Sequence, residues 1–158
     1  MKKEQVLVNP DEVVKAFNDA DEQGKELLKK FFNPFLPKKI TDVIKTFEDA
    51  CDYLKIGYDL PDVSKLLKSA QESQTAYYKL TVITLALNEG EELAPRDYRY
   101  WIWWDIASAA GFGFYSTDST DGYTYANVGS RLCFRTAELA EYSANQFKEI
   151  WKDYMIYK

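Results

Sequence analysis

The stretch Tyr98–Arg135, YRYWIWWDIASAAGFGFYSTDSTDGYTYANVGSRLCFR, decides the fold of this chain. It holds three of the four tryptophans and four of the seven glycines. Its apolar and polar residues alternate with the period of two that is typical of β-strands, whereas the segments on both sides repeat with a helical period. The stretch therefore predicts the sheet of a small α+β domain.

The alternation predicts three strands and divides the sheet into two faces. The first strand places four residues on one face, Tyr98, Tyr100, Ile102 and Trp104, and four on the other, Arg99, Trp101, Trp103 and Asp105. A second strand is predicted at Gly111–Tyr115, followed by a loop from Thr117 to Gly122. A third spans roughly Asn127–Arg135, with Leu132 and Phe134 inward and Arg131, Cys133 and Arg135 opposite. Short connections favour an antiparallel meander.

The segment before the sheet predicts several helices. Asn9 as the N-cap and Pro10 in the first turn start one helix over Asp11–Phe32, which ends before Pro34. A second helix is predicted from Thr46 to Lys55, with Ile40–Lys45 extended or loosely turned. Two more follow: a short helix that opens at Asp59 and runs through Ala70, and a helix over Ser73–Asn88 that closes at Gly90.

Thr136 then caps a last helix, whose apolar stripe runs from Leu139 to Tyr154. Because it follows directly on the predicted third strand, this helix is expected to fold back and cover the sheet. The predicted architecture is thus α+β, with several N-terminal helices, a three-stranded antiparallel meander and a C-terminal helix packed on the sheet. No linker or repeat interrupts the chain, so residues 1–158 are predicted to form a single globular domain.

Composition limits the chemistry that the chain can perform. The 158 residues carry a formal net charge of −5, which gives no overall attraction to phosphate backbones or anionic lipid, and they include two cysteines and no histidine. Histidine is the commonest general base and zinc ligand, so its absence argues against metal, cofactor and catalytic sites. Cys51 and Cys133 are interpreted as small buried apolar residues of a cytoplasmic protein rather than a disulfide.

No signal peptide or membrane-spanning stretch is recognisable, and the predicted location is the cytoplasm.

Three stretches carry a resemblance to known sequences: ITDVIKTFEDAC at 40–51, TAYYKLTVITLALNEG at 75–90 and GSRLCFRTAELAEY at 129–142. Together they resemble a group of small uncharacterised proteins encoded by phages and mobile elements of gut bacteria. Members of that group tend to have a Trp-Pro-Asp-Trp-like stretch after Asn-Glu-Gly, where this chain has Glu91-Glu-Leu-Ala-Pro95. The resemblance implies a phage-related accessory role and no activity at named positions.

The second face of the predicted sheet is the candidate binding surface. Tryptophan rings stack on bases or sugars, and guanidinium groups bind phosphates or carboxylates. The candidate residues are Arg99, Trp101, Trp103, Arg131 and Arg135. The alternative is a sheet covered by helices on both faces, with the tryptophans in the core and the arginines at its edge.

Other motifs carry no defensible chemistry. Asp118–Gly122 resembles part of a calcium loop, but Val128 stands where the bidentate Glu is required, so a hairpin turn is the better interpretation. The acids Glu89, Glu91 and Glu92 are interpreted as a solvated charge run. We therefore expect no catalytic residues, no metal and no cofactor.

The predicted function is non-enzymatic binding, through a protein partner or self-association. Trp, Tyr and Arg are enriched at the hot spots of such interfaces. The alternative partner is single-stranded nucleic acid, bound by the aromatic and arginine face of the sheet. No association with a membrane is expected.

Overall fold

The structure is a computed structural model that describes residues 8–36, 38–107, 109, 111–121 and 129–156. Its described part is α+β, as predicted, with seven helices and one two-stranded antiparallel sheet. Internal contacts divide the chain into two compact units, Met1–Lys39 (unit 1) and Ile40–Lys158 (unit 2). The single-domain prediction stays a prediction.

Unit 1 contains α1 (Pro10–Asp19) and α2 (Glu22–Phe32), followed by a 3-10 turn at Asn33–Phe35. The predicted single helix over Asp11–Phe32 is wrong, because the helix is interrupted between α1 and α2. Ala20 is extended there, and Asp21 accepts the backbone N–H of Gly24 at 2.8 Å. Asp21 is thus the N-cap of a second helix, and a local hydrogen bond overrides the continuous apolar stripe.

Unit 2 begins with a helical turn, α3 (Ile40–Val43), in the segment that was predicted to be extended or loosely turned. The predicted helix at Thr46 is confirmed as α4 (Phe47–Leu54). Thr46 Oγ1 accepts the N–H of Asp49 at 3.0 Å, while the Asp49 carboxylate accepts the N–H of Thr46 at 2.9 Å. This reciprocal capping box satisfies donors that the first helical turn would otherwise leave unpaired.

The short helix predicted from Asp59 through Ala70 is wrong, because residues 56–67 form no helix. The helix predicted over Ser73–Asn88 is confirmed, but it starts earlier, as the 20-residue α5 (Lys68–Leu87). Ser73 and Thr75, which resemble capping residues, lie inside α5 and donate their hydroxyls to the carbonyls of Ala70 and Gln71. Such back-bonding accommodates them in a helix interior.

The end of α5 near Gly90 is confirmed. Glu89 and Gly90 both take positive φ angles there, 61° and 81°, the left-handed region that glycine adopts readily.

The sheet consists of β1 (Arg99–Asp105) and β2 (Gly113–Thr120). Trp103 pairs with Ser116 and Trp104 with Phe114, so a β-bulge leaves Tyr115 as the extra residue of β2. The predicted end of the second strand at Tyr115 and the loop from Thr117 are wrong, because β2 continues to Thr120. Thr117, Ser119 and Thr120 belong to a strand rather than a loop because they pair with residues of β1.

The three-stranded meander is not shown. In the described part of the predicted third strand, Ser130–Leu132 form a 3-10 turn, and Phe134 makes an isolated bridge with Tyr100. Leu132, Cys133 and Phe134 are all buried, as predicted for Leu132 and Phe134 and for Cys133 as a small buried apolar residue. Asn127 and Val128 lie outside the described residues.

The predicted last helix is two helices, α6 (Ala137–Gln146) and α7 (Lys148–Met155), separated at Phe147. Thr136 caps α6 as predicted, its Oγ1 accepting the N–H of Leu139. Helix α6 contacts both strands, whereas α7 contacts α5. The core between these elements is made by α4, α5, β1, α6 and α7 together with Leu132 and Phe134. Its fully buried members include Cys51, Leu80, Ile83, Leu87, Phe134 and Ala144.

Candidate interaction surface

The candidate binding residues on β1 differ in burial, although the register places them on one face. Arg99 and Trp101 retain only 7% and 4% of their exposure, whereas Trp103 retains 48%. The start of this face is therefore covered, and its far end is open. The sequence left open whether this face is exposed or covered by helices. Arg99 and Trp101 are buried, as expected for a covered face, whereas Trp103 is exposed, as expected for an open one.

Arg99 is buried and has a structural role rather than a place on a binding surface. Its Nη2 donates to the carbonyl oxygen of Ala94 at 2.8 Å, and its Nε is buried without a hydrogen-bond partner among the described residues. Burial raises the pKa of the neighbouring Cys133 thiol, and the Arg99 guanidinium lowers that pKa by a smaller amount. A buried thiol of raised pKa is a poor nucleophile at neutral pH.

Arg135 is tied to the loop that follows α5. Its Nη2 forms an ion pair with Glu91 Oε2 at 2.6 Å, and its backbone N–H donates to Asn88 Oδ1 at 3.1 Å. The guanidinium is therefore already engaged by a carboxylate, which a ligand would have to displace.

Arg131 is exposed and lies at a cavity of about 220 Å³ beside the C-terminal half of α5. Thr84 also lines this cavity and is 2% exposed, with an Oγ1 that has no hydrogen-bond partner among the described residues. The other lining residues are Thr81, Leu85, Asn88, Glu91, Glu92 and Leu93.

A set of exposed apolar side chains lies at the far end of the sheet, and we call this set the sheet surface. It comprises Trp103, Ile106 and Tyr115, which are 48%, 62% and 73% exposed. The sequence pattern identified Trp103 but missed the other two. Tyr115 reaches solvent as the extra residue of the bulge, and no short sequence signal marks a bulge at this position.

The residue next to Trp103 anchors this end of β1 in the core. The Trp104 ring stacks on Phe112 with centroids 4.5 Å apart and planes inclined by 15°, and it contacts the Trp151 ring of α7 at 5.6 Å. Trp151 in turn donates from Nε1 to Ser143 Oγ at 3.1 Å. These contacts hold the backbone that presents Trp103.

No group of three or more cysteine, aspartate or glutamate side chains in the described ranges is arranged to hold a metal ion. The described helices, including the 20-residue α5, do not combine the length and apolar character that crossing a bilayer requires.

Comparison of the chain with protein-family models, curated proteins and solved structures finds no match.

Proposed function

We propose that this protein acts by binding another protein through the sheet surface. The observation that carries the proposal is the 48% exposure of Trp103 on a strand whose next residue, Trp104, is stacked into the core. Exposed Trp and Tyr side chains are the residues most enriched at interface hot spots, and a rigid backbone reduces the entropy lost on binding. The role is one of recognition rather than catalysis.

The alternative partner, single-stranded nucleic acid, has weaker support. It requires the rings and guanidinium groups of the candidate face to be open together, and Trp103 and Arg131 are the two exposed members. Arg99 and Trp101 are buried, and Arg135 is paired with Glu91. Stacking on Trp103 alone provides one base contact.

We also propose that the biological setting is a phage or mobile element. This part of the proposal is supported by the resemblance of residues 40–51, 75–90 and 129–142 to proteins of that origin.

A binding experiment with a matched control tests the proposed function. The wild-type chain and a Trp103→Ser/Tyr115→Ser variant are immobilised and exposed to a bacterial lysate, with Tyr53→Ser as the control because Tyr53 is 39% exposed on α4. We expect wild type and control to retain a protein that the double variant loses. Retention of the same proteins by all three would contradict the proposal.

The nucleic-acid alternative is measured separately by the fluorescence anisotropy of labelled single-stranded oligonucleotides. Binding at low salt that weakens steeply at moderate salt, and that Trp103→Ser abolishes, would replace the proposed protein partner by nucleic acid.

A further inference from the structure

The cavity of about 220 Å³ beside the C-terminal half of α5 has the lining of a small-molecule site. It lies within unit 2, between α5, the loop that follows this helix and the turn that carries Arg131. Its helical side is one face of α5, where side chains recur at intervals of three or four residues: Thr81, Thr84, Leu85 and Asn88. Pockets for drug-sized ligands enclose about 300–1,000 Å³, so the ligand of this cavity is smaller.

The hydroxyl of Thr84 is a buried group at this cavity without a partner. Thr84 is 2% exposed, and its Oγ1 forms no hydrogen bond with a described residue. A threonine inside a helix commonly donates to a carbonyl of the preceding turn, as Thr81 does to Tyr78 at 2.7 Å. A buried hydroxyl left unpaired opposes folding and is uncommon in native proteins. At the wall of a cavity, a bound molecule can pair with it.

Two opposite charges at the same cavity are also unpaired. The guanidinium of Arg131 and the carboxylate of Glu92 are exposed, and neither forms an ion pair with a described residue. Glu91, the other acid of the lining, is already neutralised by Arg135 at 2.6 Å. Arg131 and Glu92 line one cavity yet do not pair with each other, so a ligand that carries both charges can bridge them.

The unpaired groups specify which atoms such a ligand presents. Arg131 and the Thr84 hydroxyl are donors, which a carboxylate satisfies. Glu92 is an acceptor, and so is Thr81 Oγ1, whose own proton goes to the carbonyl of Tyr78. An ammonium group satisfies both of these acceptors.

We propose that this cavity binds a free amino acid with an aliphatic side chain. Its carboxylate accepts from Arg131 and Thr84, and its ammonium group donates to Glu92 and Thr81. Half-buried Leu85 and Leu93, which complete the lining, contact the aliphatic side chain. The proposal does not depend on the sheet surface or on the function proposed for it.

Isothermal titration calorimetry of the full chain with L-leucine, L-valine and glycine tests the site. We expect leucine and valine to bind, and glycine to bind roughly tenfold or more weakly, because it has no side chain to bury against Leu85 and Leu93. N-acetyl-L-leucine lacks the ammonium charge and L-leucinamide lacks the carboxylate, so each should bind at least roughly tenfold more weakly than leucine. No binding of any amino acid at millimolar concentration would overturn the proposal, and so would equal affinity for leucine and either analogue.

Charge-removing variants test the two charged residues. Arg131→Gln and Glu92→Gln are each expected to weaken leucine binding by roughly tenfold or more. The matched controls Arg96→Gln and Glu141→Gln make the same changes at exposed positions outside the cavity and should bind leucine as the wild type does. Leucine affinities that are the same in all four variants would contradict the site.

Thr84→Val separates a role in binding from a role in the fold, because it replaces the hydroxyl by a methyl group of similar size. The melting temperature of the unliganded protein should stay constant or rise, since the substitution removes an unpaired buried hydroxyl. Leucine affinity should fall by roughly tenfold. A lower melting temperature with unchanged leucine affinity would show that this hydroxyl serves the fold and would contradict its place in the site.

Discussion

The side-chain amide of Asn88 takes the place of a neighbouring strand for the segment around Cys133. Its Nδ2 donates to the carbonyl oxygen of Cys133 at 2.9 Å, and its Oδ1 accepts the N–H of Arg135 at 3.1 Å. Between them, Phe134 exchanges both of its backbone hydrogen bonds with Tyr100 of β1. Asn88 thereby joins the end of α5 to the segment that lies beside the sheet.

We expect Asn88→Ala to lower the free energy of unfolding by about 2–4 kcal/mol, because it leaves two backbone groups beside a buried site without partners. Chemical denaturation measures this loss. The matched control is Asn145→Ala, since Asn145 is exposed and its Nδ2 donates to Glu141 within α6. That control should change stability by no more than about 0.5 kcal/mol, and equal losses in the two variants would show that the Asn88 bridge has no special role.

The capping box of α4 is expected to contribute a measurable part of the stability of unit 2. Thr46→Ala removes the oxygen that accepts the N–H of Asp49 and should cost about 1 kcal/mol in denaturant unfolding. Thr41→Ala is the control, because Thr41 lies in the neighbouring α3 and its backbone carbonyl, which the substitution keeps, accepts a bond from Lys45 Nζ. A Thr46→Ala loss no larger than that of the control would argue against the cap.

The same box predicts a pH dependence. Hydrogen bonds from the backbone N–H groups of Lys45 and Thr46 and from the Thr46 side chain hold the pKa of Asp49 below its ordinary value. A carboxyl whose pKa is lower in the folded state stabilises the fold above its unfolded pKa and loses that effect as the pH falls through its folded pKa. Wild type should therefore exceed Asp49→Asn in stability at neutral pH, and the difference should vanish in acid. A difference that is constant across this range would contradict the assignment.

Substitution of Trp101 should destabilise the fold far more than substitution of Trp103. Trp101 is 4% exposed, so Trp101→Ala is expected to destabilise the fold by about 3–5 kcal/mol through the cavity that it leaves. Trp103→Thr keeps a good strand former at a position that is 48% exposed and should cost less than about 1 kcal/mol. Thermal and chemical unfolding of the two variants check this contrast. A severe loss for Trp103→Thr would mean that Trp103 serves the core rather than a binding surface.

Both cysteines should be unreactive in the folded protein. Cys51 and Cys133 are 0% and 2% exposed. Burial raises the pKa of both thiols, and the nearby Glu48 and Asp52 carboxylates raise that of Cys51 further. We expect a thiol-specific chromogenic reagent to label neither residue rapidly at neutral pH and to label two thiols once denaturant is added. Rapid labelling of one thiol in the native protein would place that cysteine in a site that opens readily.

Much of the local structure was predictable because its causes lie within a few residues. Asn9, Thr46 and Thr136 each cap the helix that follows them through a bond to a backbone N–H two or three residues on. The alternation from Tyr98 also located β1. The break between α1 and α2 is equally local, but the apolar stripe that continues on both sides of Asp21 favours a single helix and hides the cap.

By itself, then, the sequence determined the α+β class, the starts of α1, α4 and α6 and the strand at the centre of the tryptophan-rich stretch, since these depend on hydrogen bonds and periodicity along the chain. Only the tertiary structure decided which tryptophan is covered. A period of two assigns Trp101 and Trp103 to one face, but their burial depends on what packs over each position. The role of Asn88 likewise depends on tertiary structure, because its hydrogen-bond partners, the carbonyl of Cys133 and the N–H of Arg135, are 45 and 47 residues away in the sequence. Folding places these backbone groups beside the Asn88 amide, which pairs them.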